Sequence, residues 1–319
     1  MMSQHFLLSA AARSLSLAKV MRMSEEAARE TFKGIRWAAT NGKPVCPVCG
    51  SCEVYDLTSR KTFKCAACYK QFSVTSGTIF ASRKLPIRDI LAAIAIFTNG
   101  AKGYSALQLS RDLDVQYKTA FVMAHKIREA LALSRDADKL TGEVEVDGAY
   151  FGGYVKPANE RASRRDRRLL ENQSGKRQVV VAMRERDGDT RPFVTTREAE
   201  GVALVAANVA AGATVHADEA SHWDALHARY ATFRINHSEA YSQDGACTNM
   251  AESYFSRLRR AEVGTHHHIA GAYLSAYAAE MAWREDYRRT SNGEQFTMIV
   301  AAAAAAPVSR QWKGYWQRA

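Results

Sequence analysis

The stretch EVEVDGAYFGG, residues 143–153, alternates acid and valine until it reaches Asp147. A period of two is the pattern of a strand, with Glu143, Glu145 and Asp147 on one face and Val144 and Val146 on the other. Downstream, RQVVVAMRE (177–185) is an apolar strand, Asp187-Gly188 a hairpin turn and RPFVTT (191–196) the returning strand. GVALVAANVA (201–210) is expected as a helix. ATVHAD (213–218) is a short fourth strand ending on Asp218, HWDALHARY (222–230) a second helix, and ATFRIN (231–236) a fifth strand. TNMAESYFSRLRR (248–260) then starts a helix that carries Glu252.

The resulting order, βββαβαβα, is that of a ribonuclease-H-like core. In such a sheet strands one and four are neighbours, so Asp147 and Asp218 are expected to meet at one end. Glu252 would complete the site from the last helix. Phosphodiester attack needs an activated oxygen and a stabilised leaving oxygen, and two Mg²⁺ (or Mn²⁺) ions about 4 Å apart serve both. Hard cations take oxygen ligands, which makes carboxylates the fitting side chains. A single Asp or Glu is ordinarily a surface residue; the set of three on strand, strand and helix is what carries the reading.

Asn249, Glu252, Ser256 and Arg259 follow one another at helical steps and share a face, while Tyr254, Phe255 and Leu258 supply the core side. Asn249 either steadies a phosphate or bound water at the site or caps the helix. Arg259 and Arg260 are placed to hold DNA. His216 shares the strand face of Asp218, and His237 follows strand five. His266, His267 and His268 are adjacent and cannot all face one ion.

The chain has 319 residues and a formal net charge of +11, which favours a polyanionic partner. No apolar run reaches the length of a membrane span; the alanines at 301–306 are far too few. The first twenty residues lack acids, as a transit peptide can, but Met21 and Met23 follow, and a frayed terminus or an upstream start codon is the reading adopted. Ser24 caps a helix through Ala39, with Glu25 and Glu26 in its first turn.

Cys46-x-x-Cys49 and Cys65-x-x-Cys68 then pair across an expected hairpin. Four thiolates at this spacing close a tetrahedral structural Zn²⁺ site, and leave Cys52 and Cys247 over. From Pro86 to Leu133 the pattern is helical. It divides at Asp114-Val115 in the manner of a helix-turn-helix, with Gln116, Tyr117, Lys118 and Thr119 opening the second helix, where DNA is reached. A plain helical bundle is the alternative there, and His125 is read as an ordinary helix-face residue. Between strands one and two, NERASRRDRRLLENQSGKR places Arg164, Arg165, Arg167 and Arg168 in a loop dense enough in charge to face phosphates.

The blocks CPVCGS, CAACYKQFSVTSGTIF, VDGAYFGG, HADEASHW, TNMAESYFSRLRRAEVGTHHHI and EMAWREDYRR occur in that order over roughly residues 30 to 290. The chain thereby resembles the DDE-type insertion-sequence transposases of the ISXO group. The resemblance implies a zinc ribbon, a helical DNA-binding segment and a catalytic core of ribonuclease-H type, with Asp147, Asp218 and Glu252 as the catalytic acids. It also singles out Asn249, since family members differ at the third position, and puts Arg259 where a Lys or Arg is usual.

The expected chain is thus multidomain, of mixed α+β and α/β class, with a zinc ribbon, a helix-turn-helix-like segment and a ribonuclease-H-like mixed sheet with flanking helices. Its expected parts are residues 1–43 (N-terminal helical), 44–80 (ribbon), 81–135 (helix-turn-helix-like), 142–290 (catalytic) and 291–319 (C-terminal tail). The expected function is binding of transposon ends with metal-dependent DNA cleavage and strand transfer, by a homodimer or larger assembly, in the bacterial cytoplasm at the nucleoid and away from membranes. The alternatives are a DNA-binding regulator that has lost catalysis and a nuclease that cuts without joining.

Overall fold

The computed structural model describes residues 6–135, 137–152, 160–165, 177–235 and 247–317. The chain divides into two compact units: Met1–Arg135 together with Tyr287–Ala319, and Asp136–Asp286.

The first unit begins with helices α1 (Leu17–Met21) and α2 (Glu25–Arg36). The fraying considered for the first twenty residues does not extend to α1, which packs on the apolar helix described below and buries Val20. Ser24 caps α2 by accepting the Ala27 N–H, and Glu25 and Glu26 occupy its first turn, where the dipole favours acids. α2 ends at Arg36, short of the expected Ala39, and Asn41 takes a left-handed conformation after it.

Strands β1 (Val54–Leu57), β2 (Thr62–Cys65) and β3 (Gln71–Phe72) form an antiparallel ribbon. Its apolar face carries Phe63 and Phe72, whose rings meet at 5.4 Å, tilted by 41°, and which meet Trp37 edge-on at 5.7 and 6.4 Å. Arg36 holds the following loop by donating to the carbonyls of Val74 and Ser76 at 2.6 and 2.7 Å.

Helix α3 (Ile87–Asn99) is apolar on nearly every side and is buried accordingly. Pro86 cannot cap it with a side chain. Glu25 of α2 does so instead, its carboxylate accepting the N–H groups of Ile87 and Arg88 at 2.8 and 3.1 Å. Helices α4 (Ala106–Asp112) and α5 (Tyr117–Leu133) pack on each other across a turn in which Asp114 is left-handed. Gln116, Tyr117, Lys118 and Thr119 are exposed at the start of α5. His125, on the face of α5, is buried and stacks on Trp312 at 4.3 Å.

The second unit holds a five-stranded mixed sheet. β4 (Glu143–Gly152), β5 (Arg177–Glu185) and β6 (Thr190–Thr195) are successive antiparallel strands. The turn between β5 and β6 has Asp187 left-handed. Helix α6 (Gly201–Asn208) leads to β7 (Thr214–Asp218), which returns parallel to β4, and β8 (Ala231–Ile235) lies parallel to β7. The spatial order is β6-β5-β4-β7-β8. HWDALHARY, expected as an α-helix, is a 3-10 helix over Ser221–Ala228 that seats Trp223 and Leu226 in the core.

Helices α7 (Asn249–Ala261) and α8 (Leu274–Asp286) complete the unit. Strand alternation divides the core into two layers. Val144, Val146, Val181, Val215 and Ala217 pack with Val205 and Trp223 on one side. Ala149, Phe151, Val180 and Ala182 pack with Tyr254, Leu258 and Met281 on the other. The end of α8 is pinned to the sheet by Asp286, which takes Arg184 Nη1 at 2.6 Å in a buried ion pair and the Thr190 N–H at 3.1 Å.

The chain then returns to the first unit as α9 (Asn292–Ala305), opened by a reciprocal capping box between Ser291 and Glu294. Residues 291–319 were expected as a tail. They are instead part of the fold: α9 packs on α2, α3 and α5, and buries Phe296, Ile299 and Val300.

Candidate active site

β4 and β7 are parallel neighbours with Val146 opposite Ala217, so the next residues along the two strands, Asp147 and Asp218, stand side by side. Each carboxylate is oriented locally. Asp147 Oδ1 accepts the Gly148 N–H at 2.7 Å, and Asp218 Oδ1 accepts the Ala220 N–H at 3.2 Å. Arg234 of β8 holds the turn after Asp218, donating to the carbonyls of Asp218 and Ala220 at 2.6 and 2.7 Å and pairing with Asp224.

A third carboxylate joins them that the sequence reading missed. Glu198 lies in a 3-10 turn (Glu198–Glu200) between β6 and α6. Carboxylate oxygens of Asp147, Glu198 and Asp218 all lie within 4.8 Å of one another. Burial, and then the charges of Asp218 and Asp147, push the Glu198 carboxyl up to about 7. Three oxygen donors gathered this closely fit a hard divalent cation, which both neutralises their repulsion and suits their chemistry.

Glu252 stands apart from that group. It is exposed in the first turn of α7, and Asn249, also exposed, is the first residue of that helix. The placement of α7 has a distinct cause. Its N-cap position, Thr248, makes no side-chain cap. Glu145, fully buried on β4, caps the helix from outside: its Oε2 accepts the N–H groups of Met250 and Ala251 at 2.7 and 3.2 Å. Arg186 Nε neutralises the other oxygen at 3.0 Å, pairs with Glu143 and reaches Cys247 Sγ at 2.8 Å. Glu145 and Asp147 are two residues apart on one strand face, about 7 Å. The start of α7 is thereby tied to β4, the strand that carries Asp147. Glu145→Ala is expected to cost about 3 kcal/mol, measured by urea unfolding, and to speed amide exchange at Met250 and Ala251. Unchanged protection there would refute the capping role.

The remaining candidates sort clearly. Arg259 is exposed with its guanidinium over the Phe151 ring at 5.4 Å, and Arg260 is exposed. His216 is buried against Phe233 with Nε2 3.3 Å from Glu143; burial, and then Arg186, lower its pKa, and it is outside the carboxylate group. His266 packs on Tyr277, whereas His267 and His268 are exposed. Lys118 is exposed, with its ammonium 5.4 Å from the Trp316 ring. Arg164 and Arg165 are exposed; Arg167, Arg168 and His237 lie outside the described residues.

In the first unit, sulfur atoms of Cys46, Cys49, Cys65 and Cys68 lie within 4.8 Å of one another, with Cys46–Cys68 at 3.6 Å and Cys49–Cys65 at 3.5 Å. Thiolates around a zinc at about 2.3 Å sit about 3.8 Å apart, so the set fits the ion. The two knuckles repeat one backbone pattern. Cys46 N donates to Ser51 O and Gly50 N returns to Cys46 O, both 2.9 Å; Cys65 N donates to Lys70 O at 3.0 Å and Tyr69 N returns to Cys65 O at 3.1 Å. The left-handed residue that each knuckle needs is Gly50 in one and Tyr69 in the other. Cys52 is exposed and outside the cluster.

A four-cysteine ribbon and a mixed-sheet unit with gathered carboxylates are the parts that the motif blocks implied for a transposase, and the comparisons agree. Residues 23–71 match the transposase zinc-ribbon domain. Residues 139–286 match the ISXO2-like transposase domain, which ends on the same residue as the second unit. The chain is therefore a transposase carrying an ISXO2-like domain, as the motif blocks implied. It is 26% identical over 305 residues to a protein of Halobacterium salinarum described as an uncharacterized protein in transposable element ISH50, covering 88% of this chain and 97% of that one. No solved structure matches the chain. Among the described residues, no helix is long and apolar enough to cross a membrane.

Proposed function

We propose that the protein binds the ends of an insertion sequence, cuts one strand at each end and joins the freed ends to target DNA. The observation that carries this is the side-by-side placement of Asp147 and Asp218 on neighbouring parallel strands within a transposase domain. The strand order β6-β5-β4-β7-β8, with three antiparallel strands followed by two parallel ones, supports a ribonuclease-H-like core.

In the first step water attacks phosphorus, the P–O3′ bond breaks, and the transposon strand leaves with a 3′-hydroxyl. In the second, that hydroxyl attacks a target phosphodiester; one P–O bond forms as one breaks, and its proton passes to solvent. Asp147 and Asp218 would hold Mg²⁺ or Mn²⁺, which when bound lowers the proton affinity of the attacking oxygen and offsets charge at phosphorus. Glu252 and Asn249 extend the site from α7, and Arg259 and Arg260 supply cations along that helix for the phosphate backbone. Lys118, with the exposed start of α5, and the arginines at 164–168 are further DNA contacts. Zinc shapes the ribbon and takes no part in the chemistry. Two ends must be brought together, so a homodimer or larger assembly acting on DNA at the bacterial nucleoid follows.

The test is a reaction on linear DNA bearing the element's terminal repeats, with Mg²⁺ and a supercoiled target. Joined products are expected. Binding without nicking would instead identify a regulator, and nicking without joining a nuclease.

A further inference from the structure

We propose that Glu198 is a third metal-binding carboxylate of the active site, delivered to Asp147 and Asp218 from the turn after β6. This rests on the reading of those two aspartates as a divalent-metal site. Glu252 keeps its place as the acid that α7 contributes.

The path of the chain is the first ground. β6 is separated from β4 by β5, so the segment after Thr195 must cross back over a strand to bring Glu198 to Asp147. Two glycines let it do so. A Cβ on Gly148 would come within 2.3 Å of Glu198 Oε1 and 2.6 Å of its Cδ, so the carboxylate occupies the space that any other residue's side chain would fill. A Cβ on Gly201, where α6 begins, would come within 2.6 Å of the Trp223 ring and 3.1 Å of Val181. The missing side chains allow the turn to settle on the sheet and point one carboxylate at two others.

The second ground is the company that carboxylate keeps. Its nearest charges are Asp218 and Asp147, both of the same sign. Among the described residues no cationic side chain and no hydrogen-bond donor partners it. Folds place acids withdrawn from water beside a cation or an N–H group, as the buried Glu145 here takes Arg186 and the start of α7. Among the described residues Glu198 has neither, and its carboxylate lies within 4.8 Å of two other anionic donors. A divalent cation at that point is the partner that the arrangement requires.

The test uses zinc-loaded full-length protein and Mn²⁺ alone as the probe. Binding is followed by electron paramagnetic resonance, together with the rise in melting temperature that Mn²⁺ produces. Glu198→Gln is expected to weaken Mn²⁺ binding at least about tenfold and to shrink the metal-induced rise. Without metal its melting temperature should equal or exceed that of the unaltered protein, since a like charge has been removed. Gly148→Ala keeps the charge but displaces it, and is expected to weaken Mn²⁺ binding in the same way. Undiminished Mn²⁺ affinity in both variants, with Asp147→Asn impaired, would overturn the role of Glu198 alone. Undiminished affinity in Asp147→Asn as well would overturn the metal site itself.

Discussion

Asp147→Asn is expected to lower DNA cleavage and strand transfer at least about a thousandfold, about 4 kcal/mol in the barrier, while leaving binding to transposon ends intact. Asparagine has the same shape, and its Oδ1 can still accept the Gly148 N–H, so the strand and its turn are retained. What is lost is the negative charge, and a neutral amide is a poor ligand for a hard cation. Asp218→Asn should behave alike, because its oxygen also serves a local N–H, that of Ala220. Strand-transfer assays in Mg²⁺, paired with gel-shift measurements on the same DNA ends, read both quantities. Transfer at the unaltered rate by either variant would rule out these residues as the catalytic acids.

Loss of zinc is expected to undo the ribbon. Its strands are four, four and two residues long, and Phe63 and Phe72 are their buried aromatics. So small a sheet does not hold without help, and a structural zinc contributes on the order of 10 kcal/mol to domains of this size. Cys65→Ser, or treatment with a strong chelator, should therefore release the bound zinc and remove amide-exchange protection over residues 54–72. The sheet of the second unit has its own cores and should keep its protection. Full zinc content with protected ribbon amides in Cys65→Ser would contradict the four-thiolate site.

Some of this was open to reading from residue types and spacing. Two Cys-x-x-Cys pairs admit few explanations, and the strands around Asp147 and Asp218 announce themselves by alternation. Glu198 did not, because it sits in the irregular segment Arg197–Gly201, where no period marks one acid over its neighbour Glu200. Gly148, directly after Asp147, was the available sign that something must approach that point. Glu145 was hidden for the opposite reason: the alternation puts it on one face with Glu143 and Asp147, and nothing in that pattern marks it as a buried cap for a helix about a hundred residues later. α9 was missed because an alanine-rich run has no strong polar and apolar sides; small side chains bury on several faces at once.

The ribosome gives the order of the parts another meaning. The ribbon-and-helix unit draws on both ends of the chain, whereas the carboxylate-bearing unit is continuous. The unit with Asp147 and Asp218 therefore has all its residues once Asp286 is added, whereas the other still waits for residues 287–319, a few seconds at ~5–20 residues per second. Throughout that interval α3 and α5 lack the helix that covers them. A message cut short before codon 287 would encode the whole sheet with Asp147 and Asp218, attached to a helical unit that never closes.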